Sequence, residues 1–326
     1  MHFSILIPTH NRADSLARTL ESISHMNLPQ GQNFEVVVVD NNSSDHTREV
    51  VERMAKATGL LMKWVLETRQ GTNHARNRGI QEAKGTYLLF TDDDVVVTPH
   101  WLTDYIKAFE TYPNAACMSG RVIPEFSSGQ PAWLPEDLLS YYGNQDYGDE
   151  ARPFPFPKYP MEMNMAFRKD FLIRVGGFPT AIMRNATTLM SNDGKLFFNS
   201  LHHMQESVMY IPSGLIYHQI PPERITQDWL MKRIYWQGIS DVVSRQLIDP
   251  MPKLAMLSRA MHIMTNALIL LSGGQRSPRR IWWHYKKLTF SQRADLAYYK
   301  GTLAGILREL PQTHRPPSLQ STAKVY

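Results

Sequence analysis

The chain of 326 residues has one cysteine, Cys117. An internal disulfide is therefore excluded, and a chain of this length buries enough surface to fold without a covalent or metal staple. A reducing, cytoplasmic setting is the expectation. The first apolar run ends in Ile-Pro-Thr-His-Asn-Arg, with no Gly-rich turn, and no Gly-rich loop closes in Lys-Ser or Lys-Thr. Both absences disfavour a nicotinamide dehydrogenase and a P-loop nucleotidase. The amino terminus is too short and wrongly flanked for a secretory signal. Long apolar runs are scarce. Leu254–Leu271 is interrupted by Arg259 and His262, which makes it marginal as a membrane span. No internal repeat is present. With 43% hydrophobic and 20% charged residues, the composition is that of an ordinary globular protein.

The net charge of +5 hides an asymmetry. Residues 253–326 hold 12 Lys and Arg against 2 Asp and Glu, net +10, and residues 1–252 hold 23 against 28, net −5. A basic tail on an acidic body implies an anionic partner for the tail.

The first third alternates short apolar runs with helical patterns. Strands are expected at Phe3–Ile7, Phe34–Val39, Leu61–Leu66 and Tyr87–Phe90, and helices at Ala13–Met26, Asp45–Ala57 and His74–Ala83. Strands alternating with helices of this length predict a largely parallel sheet covered on both faces. Further on, the pattern predicts a helix at Trp101–Thr111, strands at Ala116–Val122 and Met163–Phe167, and a short helix at Lys169–Val175. After these come a helix at Gly194–His203, strands at Ser207–Ile211 and Leu215–Tyr217, and a long helix at Thr226–Leu247. Residues 123–160, rich in Pro, Gly and aromatics, are expected to form no regular element and to order over bound substrate.

The chemistry-bearing residues sit at strand ends. Asp92, Asp93 and Asp94 follow the fourth strand. Strand alternation would put Asp92 and Asp94 on one side and Asp93 on the other. Two carboxylates there suit a hard divalent cation bridging to phosphate, although an acidic turn is an equally ordinary reading. Pro8, Thr9 and Arg12 follow strand one. Asp40 and Asn42 follow strand two, where an acceptor could take a base N–H or simply start the next helix. Arg76, in a stretch with glycines and a second arginine, could face a diphosphate or solvent.

The strings ILIPTHNR, VVVVDNNSSD, GTNHARNRGI and GTYLLFTDDDV, in this order and spacing, resemble family 2 glycosyltransferases of the GT-A fold, over residues 3 to about 240. The resemblance implies an α/β fold, a Rossmann-like, mostly parallel mixed sheet flanked by helices, to which the helical pattern from Leu254 onward adds a C-terminal helical extension. It assigns residues 1–122 to a nucleotide-sugar-binding half and 123–248 to an acceptor-binding half. A basic helical extension is expected at 249–310 and a tail without fixed structure at 311–326. It places the nucleotide on Pro8, Thr9, Arg12 and Asp40, has Asp92 help hold the ribose and the metal site, and makes Asp93 the variable middle position; Asn42 and Arg76, from the residue reading above, complete the expected nucleotide-sugar set with Asp93. It makes Asp94 a ligand of Mn²⁺ or Mg²⁺ and His218, in PSGLIYH, a further ligand. The string EMNMAFR followed by VGGF is similar to the family's acceptor-side strand and turn. The acidic pair that follows in the family reads Asn192-Asp193 here, so Asp193 is the expected catalytic base, with Glu162 next. The run from His218 to Gly238 resembles a bacterial, notably cyanobacterial, branch acting in exopolysaccharide assembly.

The implied activity is inverting transfer from a nucleotide sugar, a UDP-sugar above others, to a saccharide or lipid-linked acceptor. A nucleotidyltransferase, a retaining enzyme and a non-catalytic scaffold stay open. No nucleic-acid partner is expected, and homo-oligomerisation is left open. Arg276–Lys287 interleaves basic residues with Trp282, Trp283 and Tyr285, a composition suited to the inner face of an anionic membrane or to packing on the protein.

Overall fold

The structure, a computed structural model, describes residues 2–28, 33–181, 189–272 and 288–310. The segment Arg276–Lys287 and the tail 311–326 lie outside the described residues. The chain divides into two compact units. The first comprises Met1–Gln130, Asp137–Asn185 and Asp193–Pro221, and the second Pro131–Glu136, Ala186–Asn192 and Pro222–Tyr326.

The first unit is built on one nine-stranded sheet. Strands β1 (His2–Thr9), β2 (Asn33–Asp40), β3 (Met62–Leu66) and β4 (Tyr87–Thr91) pair in parallel in the order β3-β2-β1-β4. The sheet continues through β8 (Asn164–Arg168), β6 (Cys117–Phe126), β9 (Val208–Ile220) and β5 (Val95–Val97), with the short β7 (Arg152–Pro153) on β9. Here β4–β8, β6–β8 and β5–β9 are antiparallel and β6–β9 is parallel. Helices α1 (Ala13–Ser24), α2 (Thr47–Thr58), α3 (Thr72–Glu82), α4 (Trp101–Thr111), α5 (Lys169–Arg174) and α6 (Asp193–His203) cover it.

The uninterrupted apolar runs of the central strands follow from burial on both faces. Ile5, Ile7, Val36, Val38 and Leu89 share one core with Leu16 and Leu20 of α1 and Trp101 and Tyr105 of α4. Their neighbours Leu6, Val37, Val39, Leu88 and Phe90 share the opposite core with Ala75 and Ile80 of α3 and Phe197 of α6. Each such aliphatic side chain removed from water contributes about 1.5–3 kcal/mol.

Three expectations need correction. The two strands at Ser207–Ile211 and Leu215–Tyr217 are one strand, β9. Pro212-Ser213-Gly214 is absorbed as a register shift opposite Gly120 and Val122. The shift is possible because the backbones touch: a Cβ on Gly120 would lie 1.9 Å from the Gly214 carbonyl oxygen. Residues 123–160 also hold more structure than their composition suggested. Beyond the end of β6 they contain a 3-10 helix at Glu136–Tyr142, the strand β7 and a bridge from Gln145 to Val122. Gln145 is buried and donates to Ser119 Oγ and the Gly120 carbonyl, so side-chain amide bonds replace the missing ladder. The third correction, at the aspartates, belongs to the site.

The second unit contains α7 (Gln227–Ile248), α8 (Lys253–Ser272) and α9 (Phe290–Glu309). Thr226 caps α7 through the Trp229 N–H, and Thr289 and Gln292 form a capping box at the start of α9. Helices α7 and α9 meet backbone to backbone, since a Cβ on Gly301 would fall 1.8 Å from the Tyr235 carbonyl oxygen. The helical extension expected from sequence at 249–310 is present as α8 and α9.

Candidate active site

The candidate residues gather at the carboxyl ends of β1, β2 and β4, where open α/β sheets bind ligands. The chain leaves β4 at Thr91, so Asp92–Asp94 lie in a turn and strand alternation does not apply to them. Asp93 and Asp94, not Asp92 and Asp94, share a partner. Arg12 Nη1 donates to Asp93 Oδ1 at 3.1 Å and to Asp94 Oδ2 at 2.6 Å. Thr9 Oγ1 adds a bond to Asp93 Oδ2 at 2.7 Å. Burial pushes the Asp93 carboxyl up to about 7, with the charge of Asp94 adding to the shift and Arg12 opposing it. Burial alone would lower the Arg12 guanidinium, but the two carboxylates hold it above its ordinary value.

Asp92 turns toward Arg76 on α3. This guanidinium is buried, with 3% of its side chain exposed, and faces three carboxylates. Nη1 lies 2.7 Å from Glu162 Oε2 and 3.5 Å from Asp193 Oδ2, and Nη2 lies 3.7 Å from Asp92 Oδ1. Asn73, one turn back on α3, accepts from Nη1 at 3.0 Å and sets the fork. One cation cannot neutralise three part-buried carboxylates. Burial, reinforced by the charges of Asp193 and Asp92, pushes Glu162 up to about 8 against the pull of Arg76. Burial likewise raises Asp92. Among the described residues, Arg76 Nε and Glu162 Oε1 are buried without a hydrogen-bond partner. Both atoms lie in this cluster. Asp193 is the first residue of α6, where the helix dipole favours a negative charge.

His218, on β9 beside Val95 of β5, is buried. Its Nδ1 lies 2.7 Å from the Tyr142 carbonyl, which can only accept, so Nδ1 carries the proton and donates. Nε2 then faces Asp94 Oδ1 at 3.5 Å. An imidazole fixed in this tautomer by a carbonyl is the usual arrangement of a metal-ligating histidine. Asp94 and His218 thus fit as two protein donors to one divalent cation, the remaining ligands coming from substrate phosphate, as hard cations are commonly held. Among the described residues no group of three or more His, Cys, Asp or Glu side chains could hold a metal ion.

Asp40 is buried at the end of β2. Its oxygens accept from the Ser43 N–H at 2.8 Å and from Trp64 Nε1 at 3.1 Å. These bonds shape the loop that presents Asn42, which is exposed in the left-handed region with φ of 65°. The helix start is set by Asp45 instead. It accepts from the Thr47 N–H and hydroxyl at one oxygen and from the Ala13 N–H at the other, fastening the starts of α1 and α2 together.

The sequence model of Glycosyl transferase family 2 matches residues 4–175. The chain belongs to this family. Among relatives, it is 24% identical over 253 residues to a glucosyl-dolichyl phosphate glucuronosyltransferase of Haloferax volcanii, covering 74% of this chain and 76% of that protein. It is 25% identical over 249 residues to the succinoglycan biosynthesis protein ExoM of Rhizobium meliloti, covering 73% of each. Among solved structures, the mannosyltransferase PcManGT of Pyrobaculum calidifontis, in complex with GDP-Man and Mn²⁺, superposes with a TM-score of 0.62 at 18% identity, covering 96% of this chain and 88% of that one. S. aureus TarS 1-349 in complex with UDP-GlcNAc gives 0.51 at 16% identity, covering 97% and 93%. The glycosyltransferase has the GT-A fold, with its C-terminal helices.

Within the first unit of this glycosyltransferase, Thr9, Arg12, Asp93, Asp94 and His218 form one connected set, and Arg76, Asp92 and Asp193 a second, joined through adjacent aspartates. Pro8 lies on β1 beside Thr9, and Asp40 stands at the end of the neighbouring strand. Sequence reasoning gave no role to Tyr142, whose carbonyl fixes His218. It quoted Asn164 only as part of a motif. Asn164 is fully buried and accepts from Trp101 Nε1 and the Tyr105 hydroxyl, while its amide donates to the carbonyls of Arg121 and Gly214. In the second unit, Asn192 bonds through its amide group to Asp241, Ser244 and Gln237. An asparagine stands where the family pattern has an acid, and these bonds give it a structural use.

Proposed function

We propose that this glycosyltransferase moves a sugar from a nucleoside-diphosphate sugar, a UDP-sugar first among them, to a saccharide or lipid-linked acceptor in polysaccharide or glycan assembly in the cytoplasm, with inversion and with a divalent metal. The observation that carries the reading is the single buried guanidinium of Arg76 joining Asp92, at the end of β4, to Asp193, at the start of α6. A donor-side carboxylate and a candidate base are held to one fixed point, which is what in-line displacement requires.

In the proposed reaction the acceptor oxygen forms a bond to the anomeric carbon while the bond to the diphosphate breaks and its electron pair leaves with the diphosphate. The acceptor proton passes to the Asp193 carboxylate. Glu162 shares Arg76 but is held protonated at neutral pH by its raised value, so it is the poorer first acceptor. Arg12 and Thr9 orient Asp93 and Asp94, and Tyr142 orients His218. When bound at Asp94 and His218, Mn²⁺ or Mg²⁺ would supply Lewis-acid neutralisation of the leaving diphosphate. The PcManGT complex with GDP-Man and Mn²⁺, the TarS complex with UDP-GlcNAc and the names of the relatives, a dolichyl phosphate enzyme and a succinoglycan protein, support a nucleoside-diphosphate-sugar donor, a divalent metal and the acceptor class.

The test is a thermal-shift and turnover panel of uridine, thymidine and guanosine diphosphate sugars with Mn²⁺ or Mg²⁺, followed by assignment of the product anomer. Metal-dependent binding of one donor and an inverted product are expected. Absence of binding by every donor with either metal would favour a non-catalytic scaffold instead.

A further inference from the structure

Within the second unit, α8 uses only one side of itself for packing. Met256 and Ile263 are buried in a cluster with Val242 of α7 and Ile306 of α9, and Ala260 packs against it. On another face, Leu254, Leu257, Met261, Met264 and Leu268 recur at alternating spacings of three and four, which places them in one stripe. Their exposures are 80%, 47%, 60%, 47% and 63%, and Ile269 at their end is 60% exposed. Five large apolar side chains in one exposed row exceed the scattered apolar residues of an ordinary surface.

Charge says what covers the row. The chain from residue 253 onward is net +10. Lys253 and Arg259 lie on α8 itself, and Arg293, Lys300 and Arg308 on α9. Among the described residues, α8 and α9 hold five basic side chains against Asp295 and Glu309, so a second copy would set positive against positive here and self-association through the stripe is opposed. An anionic bilayer supplies both complements, an apolar layer for leucine and methionine and negative headgroups for the basic residues. Although α8 is long and apolar enough to cross a membrane by length and composition, the buried Met256 and Ile263 are already committed to protein, and Arg259 and His262 fall mid-helix. A helix lying in the interface satisfies all of these constraints.

We infer that α8 seats its Leu254, Leu257, Met261, Met264 and Leu268 stripe in the interface of an anionic bilayer and so docks the protein on a lipid surface. This goes beyond the proposed reaction and does not depend on it.

The experiment is co-sedimentation of the full chain with phosphatidylcholine vesicles, with and without about one quarter phosphatidylglycerol, at about 0.05 M and about 0.5 M salt. Binding to the anionic vesicles at low salt is expected, at least about tenfold stronger than to the neutral ones, and weaker at high salt. The variant Leu257→Gln, Met261→Gln, Leu268→Gln changes only exposed positions and should keep its circular dichroism and melting temperature. It should bind about a hundredfold more weakly, because each polar replacement removes part of the inserted area. A dye attached at Met264→Cys should shift to the blue with anionic vesicles, as the dye enters the apolar layer. Failure of the wild type to bind anionic vesicles at low salt, or equal binding by the triple variant, overturns the inference. So does a lipid-free dimer that the triple variant abolishes, which would give the stripe to a second copy.

Discussion

Replacing Glu162 by glutamine keeps its shape and removes its proton. In the wild type the carboxyl is 17% exposed and sits 2.7 Å from Arg76, whose guanidinium also faces Asp193 and Asp92. Burial and these two carboxylates hold it at about 8, against 4.5 for the free group. The folded protein therefore keeps a proton that the unfolded chain has released throughout the interval between those values. Stability from this group is fully present below the unfolded value and is lost as pH rises through the folded one. One retained proton gives a slope of about −1.4 kcal/mol per pH unit, so wild type and Glu162→Gln should diverge by about 2–3 kcal/mol between about pH 5.5 and 7.5. Asp93, raised to about 7, titrates in the same window but in both proteins, so it cancels in the difference. The measurement is guanidinium unfolding of the two proteins at several pH values. Lines that stay parallel across the window would show that Glu162 holds no extra proton, and the assignment of Asp193 over Glu162 as base would lose its support.

Asp193→Asn should lower the rate of transfer by about 10²–10⁴ while leaving donor affinity near wild type, and a loss below tenfold in a single-turnover assay would move the base elsewhere. Asp94→Ala should remove the metal dependence of nucleotide binding in a calorimetric titration, and binding that still responds to Mn²⁺ would take Asp94 out of the metal site. Asn164→Leu strands the Trp101 and Tyr105 donors and two carbonyls, each worth about 1–3 kcal/mol when buried unpaired. Its denaturation midpoint should fall steeply, and an unchanged midpoint would mean that these groups find other partners. Gly120→Ala forces a methyl into the Gly214 carbonyl, which is backbone and cannot turn aside. Soluble, fully folded protein would contradict that packing.

The alternating strands and helices of the first third were readable because two-sided burial leaves a continuous apolar signature, as in Val36–Val39. Strand β5 was not, since three valines after an acidic turn carry no period, and what makes them a strand is Ile216–His218 a long way along the chain. The aspartate cluster was visible as a motif, but its division was not. Only folding decides that Arg12 takes Asp93 and Asp94 and that Arg76 takes Asp92. The meeting of Arg76 with Glu162 spans 86 positions and has no local trace. Asn192 looked like a loss from the family pattern, and its bonds to Asp241 and Ser244 could be found only in three dimensions.

The position of β9 has a consequence for how the chain is made. It lies between β6 and β5 in the sheet, yet both of those strands are synthesised well before it. Until residue 220 has left the ribosome, the apolar strand β6, with Cys117, Met118 and Val122, presents an unpaired edge, and β5 lacks a neighbour altogether. Open edges of this kind recruit other strands. Nascent chains that have exposed β6 but not yet β9 outside the ribosome should therefore be the ones that chaperones hold most tightly, and release should coincide with the emergence of β9.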